Sequence, residues 1–222
     1  METLNAAAAR EMLLCAADAI IRQKSLLTEL DSQIGDGDHG IGMARGMKKA
    51  QEALGKLDGE SNVYQCFSDM GKAMLLSMGG ASGVIFGTMF MGGTKGHEPQ
   101  SNLSSEEFVA LMTGSLRAIK DRGKAAVGDK TMVDAFEPAV DAMRAHANEG
   151  FAAMLAAAAA AAEQGAKSTK AYQAKFGRAK SLMERAVGHM DSGAVSTAII
   201  FRAMSDYMKN SGWEKSYVKE NH

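Results

Sequence analysis

Glu29-Leu30-Asp31-Ser32-Gln33-Ile34-Gly35-Asp36-Gly37-Asp38-His39-Gly40-Ile41-Gly42-Met43-Ala44-Arg45-Gly46-Met47 is the stretch on which the reading of this 222-residue chain turns. Its carboxylates stand at Asp31, Asp36 and Asp38, with glycines at 35, 37, 40 and 42 between and after them. Carboxylates this close repel one another unless a cation sits among them. The glycines let the backbone turn tightly, so the three side chains can converge on one point. An all-oxygen donor set suits Mg²⁺, which keeps waters and takes further ligands from phosphates. The stretch is therefore read as a Mg²⁺-nucleotide site. A calcium EF-hand is excluded, because its third ligand position falls on Gly40 and its closing acidic position on Met47. A solvated turn uses the same residue types, and these residues alone leave that reading open.

The rest of the composition narrows the class. Net charge is −1, and the lysines and arginines are scattered, so no global field argues for nucleic acid or a membrane surface. The two cysteines, Cys15 and Cys66, fall in apolar-periodic segments and are expected to be buried thiols. No Cys/His spacing for zinc occurs, and no run of ~18 apolar residues or signal peptide is visible. The expectation is a soluble cytoplasmic protein. Two prolines, 17 methionines and many alanines point to an all-α fold in one domain over 1–212, with a polar tail at 213–222.

Taken in order, apolar spacing predicts helices over 3–24, 39–55 and 61–78. The segment Gly79-Gly80-Ala81-Ser82-Gly83 then opens an apolar run from Val84 to Met91. Small residues at a helix start let backbone N–H groups approach a phosphate, although they equally permit close helix packing. It is not a Walker A motif, since no Gly-Lys-Ser/Thr follows. Ser104 and Glu107 have capping-box spacing and open a helix that Gly123 stops. The next helix carries Met132, Phe136, Val140 and Met143, with Pro138 kinking it or sitting in its first turn, and Asp129 or Thr131 as cap. Further helices are expected over 150–170 and 193–210, with Gly212 ending the last and Trp213 docking the tail. The count is about eight helices and no convincing strand.

These pieces together resemble the L subunit of dihydroxyacetone kinase, the DAK2 domain family. The matching motifs are Leu30-Asp31 through Ile34-Gly35-Asp36-Gly37-Asp38-His39-Gly40, then Gly79 to Gly83 with Phe86-Gly87-Thr88. Gly128-Asp129-Lys130-Thr131-Met132, Gly177-Arg178-Ala179 and Gly188-His189 to Asp191-x-Gly193-Ala194 complete the series. They run in family order over nearly the whole chain.

The resemblance implies a closed barrel of eight up-and-down antiparallel helices, with ADP or ATP at one end and Mg²⁺, two ions by expectation, on Asp31, Asp36 and Asp38. It implies nucleotide contacts from His39, Gly40, Ile41 and Gly42, a phosphate cradle at Ala81 and Ser82, and positions near the base at Gly123 and Met132. Arg178 matches a phosphate or ribose contact, and Asp191, Ser192 and Gly193 match the loop that closes over the nucleotide. Gly42 stands where the family often has Asn, and Val84 and Ser192 each replace an expected proline; both are expected to loosen their loops.

The implied activity is phosphoryl transfer to dihydroxyacetone or a related short keto-sugar held by a K-type partner subunit. The donor is free ATP or an M-type phosphotransferase-system subunit that rephosphorylates bound ADP. Arg178 would offset charge during transfer. No evident base for the sugar hydroxyl is found, His39 being assigned to the nucleotide. The alternatives left open are a tetrose kinase module, a nucleotide-dependent coactivator of a transcription regulator, and a homodimer.

Overall fold

The computed structural model describes residues 3–57 and 61–210. Gly212, Trp213 and the tail 213–222 lie outside the described residues.

The chain begins with β1 (Thr3–Asn5), which pairs antiparallel with β2 (Asn102–Ser104), Leu4 facing Leu103. This corrects the expectation of a helix from residue 3 and of no strand. Both leucines are fully buried, so the short ribbon is a plug for the core; three residues carry too little pattern for period-2 alternation to be recognised. Asn5 ends the ribbon and caps α1 (Ala6–Arg22), its side chain accepting the Ala8 N–H at 2.8 Å.

A second correction concerns residues 24–34. They form α2 (Lys24–Ile34), so Asp31 stands on a helix and not in a loop. Leu27, Leu30 and Ile34, at helical spacing, are its buried face. Then come α3 (His39–Leu54), α4 (Val63–Met78), α5 (Gly80–Met91), α6 (Ser105–Gly123), α7 (Val133–Ala145), α8 (Phe151–Ser168) and α9 (Ser192–Asn210). The described residues thus hold nine α-helices, the extra one arising from α2. The Ser104–Glu107 capping box forms, with Ser104 N–H donating to Glu107 at 2.7 Å. Pro138 lies inside α7, and Thr131 Oγ1 accepts the Val133 N–H at its start.

One apolar core runs from Leu4 to Met208 and takes in most of the methionines. Phe67, Phe108 and Phe151 meet edge to face, at 5.8 and 5.7 Å between ring centres. In packing order α1 lies on α3, and α3, α4, α5, α6, α7, α8 and α9 each lie on the next; α9 returns to α1. The helix α2 sits beside α3 and α9. Gly40 allows this: a Cβ there would stand 2.3 Å from the Lys24 carbonyl oxygen, so α3 can start against α2 only because residue 40 has no side chain. Cys66 is buried, and burial pushes its thiol up to about 11; Cys15 is only half-buried, against expectation. No described helix is long and apolar enough to cross a membrane.

Candidate functional site

The sequence drives α2 to stop at Gly35, whose N–H returns to the Asp31 carbonyl at 2.5 Å. Gly37 then takes φ +76°, the left-handed region that only glycine enters freely. That turn throws Asp36 and Asp38 back beside Asp31, and one oxygen from each lies within 4.8 Å of the others. Asp31 is held by the turn it shapes. Its Oδ2 accepts the Gly37 N–H at 2.9 Å and the His39 N–H at 3.4 Å, and its Oδ1 accepts the Ser192 hydroxyl at 3.0 Å. Partial desolvation, then the charges of Asp36 and Asp31, push the Asp38 carboxyl above its ordinary value. Arg178 Nη2 lies 2.8 Å from Asp36 Oδ2 and, among the described residues, supplies the one cation paired to the trio. The all-carboxylate donor set and its mutual repulsion fit a hard divalent cation such as Mg²⁺.

Beside the trio opens a cavity of about 640 Å³. His39 at the start of α3, Gly80, Ala81 and Ser82 in the first turn of α5, and Ser192 and Gly193 in the first turn of α9 all line it. So does Met132, just before α7. Neither α3 nor α5 is capped by the side chain of its N-cap residue, so their leading N–H groups, apart from the His39 N–H that Asp31 takes, can meet an anion. Gly79 and Gly80 have φ +72° and +61°, and a Cβ at either would meet nothing within 4 Å, which leaves bare backbone there. Four helix N-termini therefore face three carboxylates across one space. A cation-bridged polyanion satisfies both sides at once.

The residues singled out from the sequence come together here. Asp31, Asp36, Asp38, His39, Ile41, Gly42, Ala81, Ser82, Met132, Arg178, Asp191, Ser192 and Gly193 all line the cavity. Gly40 and Gly123 do not: Gly40 is under α3 against α2, and Gly123 stands behind the wall, facing Ile85. A Cβ on Gly42 would meet nothing within 4 Å, so the glycine leaves open room where a polar side chain would project. Ser192 is buried and ties α9 to Asp31, which the expectation of a looser loop did not include.

The His39 ring is turned into the protein. Its Nε2 lies 2.8 Å from Ser196 Oγ and its ring 5.8 Å from that of Phe86. Burial pulls its pKa below the usual value, against the Asp31 charge, so it is neutral near pH 7. Asp191 caps α9, its Oδ2 accepting the Ala194 N–H at 2.8 Å. Burial pushes its carboxyl up to about 7.

Sequence reasoning passed over Lys130, Arg45 and Phe176, which also line the cavity. Arg45 donates to the Met78 carbonyl at 2.5 Å, beside the glycine turn. Lys130 was in view within the Gly128–Met132 motif, but nothing in its spacing says that it is buried.

A model of the DAK2 domain matches residues 33–206. The chain is 36% identical over 187 residues to the ADP-binding subunit DhaL of PEP-dependent dihydroxyacetone kinase 1 from Listeria innocua, covering 84% of this chain and 89% of that one. It is 35% identical over 190 residues to the corresponding DhaL of Escherichia coli K12, covering 85% and 90%. The crystal structure of the dihydroxyacetone kinase of C. freundii superposes with a TM-score of 0.71 in its native form and 0.70 in complex with AMP-PNP and Mg²⁺, at 26% identity. That match covers 93% of this chain but only 35% of the native kinase chain, so this chain spans about a third of that enzyme.

Proposed function

The chain belongs to the DAK2 domain family, and from that premise we propose that it is the nucleotide-binding, phosphoryl-transferring subunit of a dihydroxyacetone kinase. The observation that carries the proposal is the cavity itself, with three converged carboxylates on one side and uncapped helix N-termini on the other.

In this reading Asp31, Asp36 and Asp38 hold Mg²⁺, with two ions as the family resemblance implies. When bound, the metal would neutralise phosphate charge. The N–H groups of Ala81 and Ser82 receive the phosphates, and those at the start of α3 and α9 meet the rest of the anion. Gly40 acts by letting α3 start against α2, while Ile41, Gly42 and Met132 lie along the nucleotide. Arg178, 2.8 Å from Asp36 at the cavity wall, would supply a cation to offset charge that develops on the phosphate in transfer. His39, neutral and bonded to Ser196, shapes the start of α3 and is a poor base for the sugar. The acceptor hydroxyl and its base therefore belong to a K-type partner that holds dihydroxyacetone.

The names of the relatives, PEP-dependent and ADP-binding, favour the mode in which ADP stays bound and an M-type phosphotransferase subunit rephosphorylates it. The ring of packing that returns from α9 to α1 supports a closed eight-helix barrel, with α2 outside it, as a single domain over 1–212.

Gel filtration followed by mass spectrometry of the gently purified protein tests the proposal. Retained ADP, and turnover with a K-type partner from phosphoenolpyruvate through the phosphotransferase proteins but not from ATP alone, is expected. Turnover on tetroses with none on dihydroxyacetone would replace the substrate. Regulator binding without transfer to any sugar would replace the activity.

A further inference from the structure

One wall of the cavity is unlike the others. Residues 170–190 form a strap between α8 and α9, mostly 3-10 turns and extended chain, that brings Phe176, Gly177 and Arg178 to the cavity. Its one apolar cluster among the described residues is Ile34, Ala174 and Ala186, with Ala179 and Leu182 beside them, separate from the main core. So small a cluster cannot by itself hold some twenty residues in one shape.

The two ends of the strap meet at one side chain. Lys130 is buried, with 2% of its surface exposed, and takes φ +60°, a region costly for a residue with a Cβ. Its ammonium donates to the Thr169 carbonyl at 2.5 Å and to the His189 carbonyl. Those acceptors are the residues just before and near the close of the strap. Around this junction Gly188 N–H donates to the Lys170 carbonyl at 2.7 Å, and Asp191 N–H to Thr169 Oγ1 at 3.0 Å. The neighbouring Asp129 takes hold of the strap's middle. Its carbonyl accepts the Lys175 N–H at 3.2 Å, and its carboxylate lies 2.6 Å from Lys175 Nζ. Burying an ammonium without a direct carboxylate partner is expensive. That cost is offset here by two carbonyls and by the nearby charges of Asp191 and Asp134.

We propose that Lys130 is a positioning residue that staples the neck of the 170–190 strap and so fixes Phe176, Gly177 and Arg178 as the outer wall of the nucleotide cavity. The inference rests on the nucleotide reading above only for the identity of what the wall encloses. It predicts a local effect. With the staple removed, the helices remain and the strap opens, so a bound nucleotide leaves faster while its rate of entry changes little.

The strap carries Lys170, Lys175, Arg178, Lys180 and Arg185, so limited trypsin digestion of the full chain, with cut sites assigned by mass spectrometry, reads its opening without any ligand. Lys130→Met is expected to be cut within 170–185 at least tenfold faster than wild type, with unchanged circular dichroism. It should also release Mg²⁺·ADP at least tenfold faster in stopped flow. Lys130→Arg, which keeps donors for both carbonyls, restores most of the protection; a purely space-filling role would not be rescued in this way. A folded Lys130→Met whose strap is cut at the wild-type rate overturns the proposal.

Should Lys130→Met fail to fold, hydrogen exchange on wild type decides. Protection of the Gly188 and Asp191 amides above those of 179–184 supports the staple, and equal exchange overturns it. If wild type binds no Mg²⁺·ADP at all, the functional reading falls and the digestion result stands by itself.

Discussion

The cavity has two walls built in opposite ways. The inner wall is made of helix ends rooted in the main core: Leu27 under α2, Met43 and Met47 under α3, Met78 and Phe86 at the α4–α5 junction. Each of those buried side chains contributes about 1.5–3 kcal/mol, so the acidic turn and the bare glycine backbone are presented in a fixed geometry. The outer wall is the 170–190 strap, held by a three-residue apolar cluster, the Lys130 staple and surface pairs such as Arg178–Asp36. Polar pins of this kind are individually weak and exchange partners readily. The contrast assigns charge placement to the rigid side, and enclosure of the cavity to the adjustable side. Ile34, the last residue of α2, packs in the strap's cluster, so the two walls meet at the acidic turn.

The comparison breaks most visibly at Gly40. A Cβ there overlaps the Lys24 carbonyl and the Thr28 backbone N, at 2.3 and 2.6 Å. Gly40→Ala is therefore expected to cost about 1–3 kcal/mol or more by displacing α2 from α3. Denaturant melts should register that loss, together with weaker Mg²⁺ binding, since Asp31 moves with α2. A loss no greater than for an exposed helical alanine would mean that the inner wall is not rigid.

A second test uses acid and base. The folded Asp191 carboxyl titrates at about 7, well above the ordinary value near ~4. The folded state therefore holds a proton that the unfolded chain has released between those values, and stability is lost as pH rises through this window. In EDTA, Asp191→Asn is expected to melt above wild type at pH 8, the two converging toward pH 4.5. His39, whose pKa burial lowers, acts in the opposite direction below ~6.5, but it is common to both proteins and drops out of the difference. Parallel melting curves at every pH would contradict the assigned burial of Asp191.

The smallest expected effect belongs to the outer wall. Arg178 is largely exposed in its pair with Asp36, so Arg178→Ala is expected to change stability by no more than about 1 kcal/mol while lowering the rate of phosphoryl transfer. A large loss of stability would show that the strap is anchored through this pair.

What was legible in the sequence follows the same division. The convergence of the acidic trio at the glycine turn was readable because glycines between close carboxylates permit a tight turn. The long helices were readable from apolar periodicity. The helix α2 was missed because Ser32, Gln33 and the aspartates read as turn residues and masked the buried stripe Leu27, Leu30 and Ile34. The β1–β2 ribbon joins segments nearly 100 residues apart and leaves no local pattern. Lys130 could be seen as part of a motif, yet its burial depends on the carbonyls of Thr169 and His189, which only the folded chain brings near.

The most direct test of the account is calorimetric titration of ADP into the full chain with and without Mg²⁺, repeated on Asp38→Asn. Desolvation and the charges of Asp36 and Asp31 outweigh that of Arg178 at Asp38, which makes no ion pair among the described residues, so its neutralisation should leave the melting temperature unchanged or slightly raised. The account predicts Mg²⁺-dependent binding in wild type that falls at least a hundredfold in the variant. Equal affinity in the two proteins, or wild-type binding indifferent to Mg²⁺, would contradict it.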